Sequence, residues 1–123
     1  MAKTVVMSLD QGTDTAITVS VRDREGNVVD MASARMQLRP KIESSIISDE
    51  LTTANGRISI DQNAGTLTLT FPNATTSGMS AGTYAYDLEV IDSQDLVTRV
   101  IEGTITIRPE VTRDNPAPVD GGS

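Results

Sequence analysis

Short runs of alternating apolar and polar residues recur along most of the chain. In residues 16–22 every second side chain is aliphatic, and residues 33–40 repeat this pattern as far as Pro40, which has no backbone N–H to donate. Residues 84–90 continue it with two tyrosines. Successive residues of a strand point to opposite faces of a sheet, so a period of two predicts strands that are buried on one face. No stretch keeps a helical period over three turns.

Turn-forming residues separate these runs. The segments "DREGN" at 23–27 and "DQNAG" at 61–65 combine Asp, Asn and Gly, which favour tight turns. The first segment predicts a hairpin between the strand at 16–22 and a return strand at 28–30. The second predicts a hairpin within residues 57–71, with its aliphatic and phenyl side chains on the inner face and threonines on the outer face.

The second half of the chain gives one more strand pair. Residues 96–107 follow the "DSQD" turn and are predicted to pair with residues 84–90, with a β-bulge at Gly103, where the alternation shifts. Residues 72–82 are polar and are predicted to hold one short helical turn. For residues 41–56 a short strand and a helical turn both remain open.

Together these elements predict an all-β fold. About seven short strands at intervals of about ten residues are typical of an antiparallel β-sandwich, which we expect over residues 1–108. Residues 109–123 are rich in Pro, Gly and Asp and predict an extended tail. A chain of 123 residues is long enough to bury one core. The predicted core consists of Ile17, Val19, Met36, Leu38, Leu67, Leu69, Phe71, Tyr86, Leu88 and Ile105.

Composition excludes several kinds of chemistry. The chain has no cysteine and no histidine, which removes thiol nucleophiles, zinc–thiolate sites and every catalytic triad that contains histidine. A net charge of −7 opposes binding to a phosphate backbone. No apolar run is long enough to cross a bilayer, and the amino terminus lacks the apolar core of a signal peptide. We therefore expect a soluble product that is made in a cytoplasm and contacts neither nucleic acid nor membrane.

The remaining catalytic candidates are carboxylates. They are Asp87 and Glu89 beside Tyr86, and the loop pair Asp49 and Glu50. Tyr86 and Asp87 are adjacent on a strand, so they should point to opposite faces and should not converge on one substrate. We expect solvated acids and no catalytic residue.

Binding sites for small ligands are weakly indicated. Asp23, Glu25 and Asn27 come nearest to a calcium loop, but the segment is too short to enclose the ion and favours a hairpin turn. The "DQGTD" turn at 10–14 lacks the spacing of a phosphate-binding loop. The chain has no tryptophan, two tyrosines and one phenylalanine, too few for the aromatic platform of a carbohydrate-binding module. We predict no metal and no cofactor.

Two stretches resemble a known family when they are read together. "DQGTDTAITVSVRDREGNVVDMASARMQLRP" (10–40) is similar to the opening half of small β-rich proteins from tailed-phage structural gene clusters, and "AGTYAYDLEVIDSQDLVTRVIEGTITIRPEVTR" (81–113) resembles their closing half. More distantly, the order of motifs resembles the amino-terminal immunoglobulin-like domain of upper baseplate proteins. The resemblance implies an immunoglobulin-like sandwich with a structural role in the virion, and it implies no catalytic residues.

The leading hypothesis is therefore a non-enzymatic virion component of the tail or baseplate, an adaptor that binds neighbouring virion proteins and copies of itself. One alternative is a head decoration protein that clamps capsid subunits. A small carbohydrate- or ligand-binding module and a carboxylate-based hydrolase are the rivals from other classes. Two acids that converge in a pocket would favour the hydrolase, and a cluster of exposed aromatic rings would favour the binding module.

Two surfaces are expected to matter for such a role. On the sheet, Arg35 and Arg39 should form cross-strand pairs with Asp87 and Glu89 if their strands are neighbours. The tail at 109–123 should run along a neighbouring subunit, because its prolines lower the entropy cost of ordering it there. Its interface candidates are Pro109, Val111, Arg113, Pro116, Pro118 and Val119.

Overall fold

The structure, a computed structural model, describes residues 2–111. Over this range the protein is mostly β, with nine strands and one short helix. These elements are β1 (Lys3–Thr4), β2 (Met7–Asp10), β3 (Thr15–Ser20), β4 (Ser33–Arg39), β5 (Asp49–Thr52), β6 (Ile58–Asp61), β7 (Thr66–Phe71), α1 (Asn73–Gly78), β8 (Gly82–Ile91) and β9 (Val97–Arg108). Within the described residues, no helix has the length and apolar character needed to cross a membrane.

The larger sheet has six strands, in the order β1–β9–β8–β4–β5, with β2 also paired to β9. β8 and β9 form the long hairpin that the alternation predicted, joined by a turn in which the backbone N–H of Asp92 donates to the carbonyl of Leu96. β4 pairs antiparallel with β8 and β5, whereas β1 and β2 run parallel to β9. The sheet is therefore mixed, and the prediction of purely antiparallel pairing was wrong at this edge.

The smaller sheet has three antiparallel strands in the order β3–β7–β6. It contains the hairpin predicted within residues 57–71, which is confirmed as β6 and β7. The other predicted hairpin was wrong. After β3, Arg22 and Val28 form only an isolated bridge, and the chain crosses to the larger sheet. The physical reason is that the side chain of Gln62 bonds to the backbone of Val29 and Met31, which draws the expected return strand towards β6.

Gly103 has a different role from the predicted bulge. It lies directly opposite Tyr86, and the shift of register lies instead between Leu88 and Glu89 of β8, where Val100 of β9 has no counterpart. At Gly103 φ is +153°, and a side chain would overlap the carbonyl of Val5. The glycine is needed for close approach of the chain between β1 and β2, so the sequence identified an irregular position and misassigned its cause.

The two sheets contribute side chains to one hydrophobic core. Of the ten predicted core residues, eight are buried within it, and Ile17 and Val19 are partly buried against its edge. Leu67, Leu69 and Phe71 come from the smaller sheet, and their side chains are fully buried. The predicted inward faces are thus confirmed in both halves of the chain.

Two segments that the sequence left open are now defined. Residues 41–56 contain β5, a short strand at the edge of the larger sheet, and no helix. The helical turn predicted within residues 72–82 is confirmed as α1. Thr76 of α1 is completely buried, and its hydroxyl accepts the backbone N–H of Gly12 at 3.0 Å.

Candidate functional site

The acidic strand residues do not converge with Tyr86. The ring of Tyr86 is buried, and its hydroxyl donates to the carbonyl of Val5 at 2.6 Å. Burial raises the pKa of Tyr86 to about 12. Asp87 and Glu89 lie on the outer face of the same strand. A buried, hydrogen-bonded phenol with a raised pKa is suited to holding the fold together, not to accepting a proton near neutral pH.

The outer acids of β8 are paired with arginines. Nε of Arg35 on β4 donates to Glu89 at 2.7 Å, and Nε of Arg99 on β9 lies 3.4 Å from Asp87. The predicted cross-strand pairing is therefore present for Arg35. Arg39 differs from the prediction, because its guanidinium donates to the carbonyl of Ser44 and to the side chain of Gln37. It lies opposite Ala85 in the sheet, so Asp87 and Glu89 are not its direct cross-strand partners.

Asp49 and Glu50, which were expected on a loop, lie on β5, and their side chains also separate. Asp49 accepts two hydrogen bonds from the guanidinium of Arg57, at 2.7 and 3.1 Å, and both side chains are largely shielded from solvent. Arg57 also lies 5.9 Å from the centre of the Phe71 ring, so one ion pair ties β5 to the smaller sheet. Glu50, on the outer face, accepts from the side chain of Gln37 at 2.9 Å. Asp49 and Glu50 therefore make separate structural contacts.

The calcium candidates form a turn, as the sequence favoured. The carboxylate of Asp23 accepts the backbone N–H groups of Glu25 and Asn27, at 3.0 and 2.9 Å. This arrangement is an Asx turn, whose carboxylate satisfies the loop backbone. Within residues 2–111, no group of three or more acidic residues is arranged to hold a metal ion.

The "DQGTD" turn joins three parts of the fold. The side chain of Gln11 donates to the carbonyl of Met79 after α1 at 2.8 Å and accepts the N–H of Glu110 at 3.0 Å. Gly12, with φ of +82°, lies against the carboxylate of Glu110 and donates to Thr76. The turn therefore fixes the point at which the chain leaves β9. Sequence reasoning named this turn only to exclude a phosphate site.

Two further carboxylates tie distant segments together. Asp14 accepts the backbone N–H of Asn73 at 2.7 Å, and this bond, with the side-chain amide, lowers the pKa of Asp14. Asp30 accepts the hydroxyl of Ser93 at 2.6 Å and its N–H at 3.1 Å, which lowers the pKa of Asp30. Both acids are more readily ionised than in a free peptide, and each one joins two segments that are distant in sequence.

A shallow depression of about 640 Å³ lies on the outer face of the larger sheet. Its floor is formed by β9, β8 and β4, and the charged side chains around it carry both signs. Among its lining residues are Arg35, Arg39, Ile42, Asp87, Glu89 and Arg99. A broad concave surface with mixed charges suits contact with a polar partner. Tyr86 also lines the depression, but the residue is buried.

Exposed aliphatic side chains are concentrated in the loop between β4 and β5. Ile42 is 85% exposed, Ile46 is 64% exposed, and Ile47 is 45% exposed. Arg39 at the end of β4 pairs with Ala85 near the start of β8, so this loop lies at the end of the larger sheet where β9 finishes. Sequence reasoning missed these isoleucines, although three of them within the polar segment "KIESSIIS" are the signal that could have shown them.

The predicted tail contacts fall partly within the described residues. Pro109 is exposed and Val111 is 91% exposed, and both follow β9 at the same end of the sheet as the three isoleucines. The other interface candidates lie outside residues 2–111; they are Arg113, Pro116, Pro118 and Val119. The start of the tail and the isoleucine loop therefore lie at the same end of the larger sheet, although β8 separates β9 from β4.

Comparison with known proteins gives no assignment. The chain matches no protein-family model and no curated protein.

Proposed function

We propose that this protein is a non-enzymatic adaptor in the virion of a tailed phage, in the tail or baseplate, where it binds neighbouring structural subunits. The observation that carries the proposal is the exposure of Ile42, Ile46 and Ile47 at the end of the larger sheet where β9 also finishes. Exposed aliphatic side chains grouped in one loop of an acidic protein, with a net charge of −7, mark a surface that another protein covers.

The architecture supports the same role. We propose an immunoglobulin-like sandwich, because two sheets share one core and the strand orders β1–β9–β8–β4–β5 and β3–β7–β6 place consecutive hairpins in opposite sheets. Such a domain is rigid and presents its loops at two ends. The titratable side chains that could have supported catalysis are engaged in ion pairs and turns. What remains available is surface for protein contact.

Incorporation into particles tests the proposal. Purified particles should contain the wild-type chain at a fixed copy number by quantitative mass spectrometry, and a cryo-electron microscopy map should place it in the tail or baseplate. Ile42→Ser combined with Ile46→Ser should lower incorporation severalfold without lowering the melting temperature of the isolated protein. Truncation after Glu110, which keeps the bond from the Glu110 N–H to Gln11, should have the same effect. Val97→Ser is the matched control, because Val97 is 50% exposed at the opposite end of β9.

The outcomes separate the alternatives. Density on the capsid would replace the adaptor with a head decoration protein. Absence of the chain from purified particles would overturn a structural virion role altogether. Normal incorporation of both the isoleucine variant and the truncated chain would show that this end is not the docking surface.

A ligand-binding module remains the second candidate, and the depression on the larger sheet is the observation that favours it. Binding there should shift the nuclear magnetic resonance signals of Arg35, Arg99 and Ile42 when a panel of oligosaccharides is titrated. Shifts confined to these residues would support the module, and a flat response across the panel would remove it.

A further inference from the structure

The two sheets formed by residues 2–111 have four edges, and three of them are protected against pairing with another strand. At β5, the side chain of Asn55 donates to the carbonyl of Glu50 at 3.1 Å and accepts the N–H of Thr52 at 3.0 Å. These are the outward groups of β5, since the N–H of Thr53 bonds to β4. The Asn55 amide therefore occupies the position of a neighbouring strand, and the edge is closed.

The edges at β1–β2 and β6 are blunted in other ways. β1 and β2 share one register on β9 but are interrupted at Val5, whose carbonyl turns inward to the hydroxyl of Tyr86. β6 is only four residues long and ends in Asp61, and the next side chain, Gln62, bonds to the segment at 29–31. Short strands, interruptions and charges are the usual means by which proteins prevent edge pairing.

β3 has none of these protections. Its six residues, Thr15–Ser20, include no charge, proline, glycine or bulge. The N–H of Val21 bonds to Gly65 in the direction of β7, so in the alternating pattern of an antiparallel pair the odd residues face β7. The N–H and C=O groups of the even residues point away from the sheet; these residues are Ala16, Thr18 and Ser20. No turn, loop or side-chain hydrogen bond among residues 2–111 uses them.

The inward side of β3 is also incompletely covered. Ile17 and Val19 are only partly buried, whereas their partners on β7, Leu69 and Leu67, have no exposed area. The two side chains point towards the core but lie at its margin. One further strand beside β3 would cover them, and hydrophobic burial would favour its addition.

We propose that β3 is an interface with a second copy of this chain, paired edge to edge and antiparallel about a two-fold axis at Thr18. In this register Ala16 lies opposite Ser20 of the second copy, and Ile17 lies opposite Val19. Odd-numbered residues lie opposite odd-numbered residues, and even-numbered opposite even-numbered. Inward side chains therefore meet inward side chains, and outward side chains meet outward ones. The outward backbone groups of the even residues find partners, and the smaller sheets of two copies join into one sheet of six strands.

Charge complementarity selects this register and this occupant. With Thr18 on the axis, Asp14 of one copy lies opposite Arg22 of the other, and the two-fold repeats the pair at the other end of the interface. Asp14 and Arg22 are exposed and are the first charged residues on each side of β3. A protein of net charge −7 repels its own copies in most orientations, so an uncharged strand bounded by opposite charges gives the most favourable approach. This inference does not rest on the virion role.

Sedimentation equilibrium of the full-length chain tests the interface. The wild type should show a reversible monomer–dimer equilibrium. Thr18→Lys should raise the dimer dissociation constant about a hundredfold, because two like charges would meet at the axis. Ser59→Lys is the matched control, since Ser59 is exposed on the outer face of β6 at the other edge of the same sheet. The dimer dissociation constant of Ser59→Lys should equal that of the wild type. The monomers of both variants should also melt at the temperature of the wild-type monomer.

A cysteine cross-link tests the register, and the chain has no native cysteine to interfere. Thr18→Cys should give a covalent dimer with a short thiol-reactive cross-linker, because the two copies of this position lie about 5.5 Å apart between Cα atoms. Ala16→Cys should not, because its two copies are four positions apart along the strand, roughly 14 Å. Efficient cross-linking through Ala16→Cys would overturn the register.

A charge reversal tests the occupant. Arg22→Glu should weaken the dimer about tenfold, whereas Arg22→Lys, which keeps the charge and leaves Asp14 bonded to Asn73, should not. A wild-type chain that stays monomeric at millimolar concentration would overturn the proposal. Dimerisation that appears only after residues 112–123 are removed would also overturn it, because the chain's own tail would then be the strand that covers β3.

Discussion

The outer face of the larger sheet is charged, whereas that of the smaller sheet is lined by hydroxyl groups. Arg35 and Glu89 form an ion pair on the larger sheet, while Thr18 and Thr68 meet at 3.1 Å on the smaller sheet. The edges of the two sheets also differ, in how well they are protected against further strand pairing. The larger sheet is closed by Asn55 at one edge and interrupted at the other, and the smaller sheet leaves β3 open.

This difference separates two ways of handling exposed β-structure. Charged pairs and capped edges keep the larger sheet solvated and prevent strand addition, so its contacts must be made by loops and by side chains on its face. Among residues 2–111 nothing protects β3 of the smaller sheet in this way, which is why we propose that its backbone pairs with a further strand. The protein thus offers a side-chain surface on one sheet and a backbone surface on the other.

The largest expected effects come from the core that both sheets share. Leu69→Ala and Leu88→Ala should each lower the free energy of unfolding by about 2–5 kcal/mol, because both side chains are fully buried and a cavity would remain. Ile17→Ala, opposite Leu69 in the register, should cost about half as much or less because Ile17 is only partly buried. Chemical denaturation of the monomers measures all three. Equal losses at Ile17 and Leu69 would show that the margin at β3 is already covered.

The inward faces were predictable from sequence because burial imposes a period of two on side chains in strands such as β7 and β8. Pairing was less predictable. The sequence paired β3 with the next segment, since local turn residues are visible and the distant partner β7 is not. The roles of Asn55 and Gly103 were also hidden, because each depends on a backbone that another part of the chain brings close. Exposure of the isoleucines at 42–47 depends on packing in three dimensions.

Removing the cap on β5 should make the two sheets more alike. Asn55→Ala should lower the free energy of unfolding by about 2 kcal/mol, because the side chain bonds to Thr52, Glu50 and the N–H of Arg57. It should also increase association at high concentration, since the outward groups of β5 would be free. Light scattering and denaturation measure the two effects. A stable variant with unchanged association would mean that the edge is protected by something other than this amide.

Tyr86 holds the interrupted edge of the larger sheet, and Tyr86→Phe should lower stability by about 1 kcal/mol at neutral pH through loss of the bond to Val5. The pH dependence gives a second readout. The pKa of Tyr86 is raised from 10.0 to about 12 in the folded state. Stabilisation is therefore complete below pH 10 and is lost as pH rises towards 12, since the unfolded chain releases its proton first.

Urea denaturation at a series of alkaline pH values should show this decline in the wild type and a shallower one in Tyr86→Phe. Tyr84→Phe is the control, because it removes a comparable hydrogen bond, from Tyr84 to the carbonyl of Ser80, and leaves Tyr86 in place. An equally shallow decline in both variants would contradict the assignment of the effect to Tyr86.

The smallest effects distinguish the two outer faces directly. A double-mutant cycle on Arg35 and Glu89 should give a coupling energy of about 0.2–1 kcal/mol, because the side chain of Arg35 is 52% exposed and water weakens the attraction. Salt at about 1 M should remove most of this coupling. The same cycle on Thr18 and Thr68 should give a coupling of similar size that salt leaves unchanged, because neither partner is charged. An equal effect of salt on the two coupling energies would contradict the difference that we draw between an ionic face and a hydroxyl face.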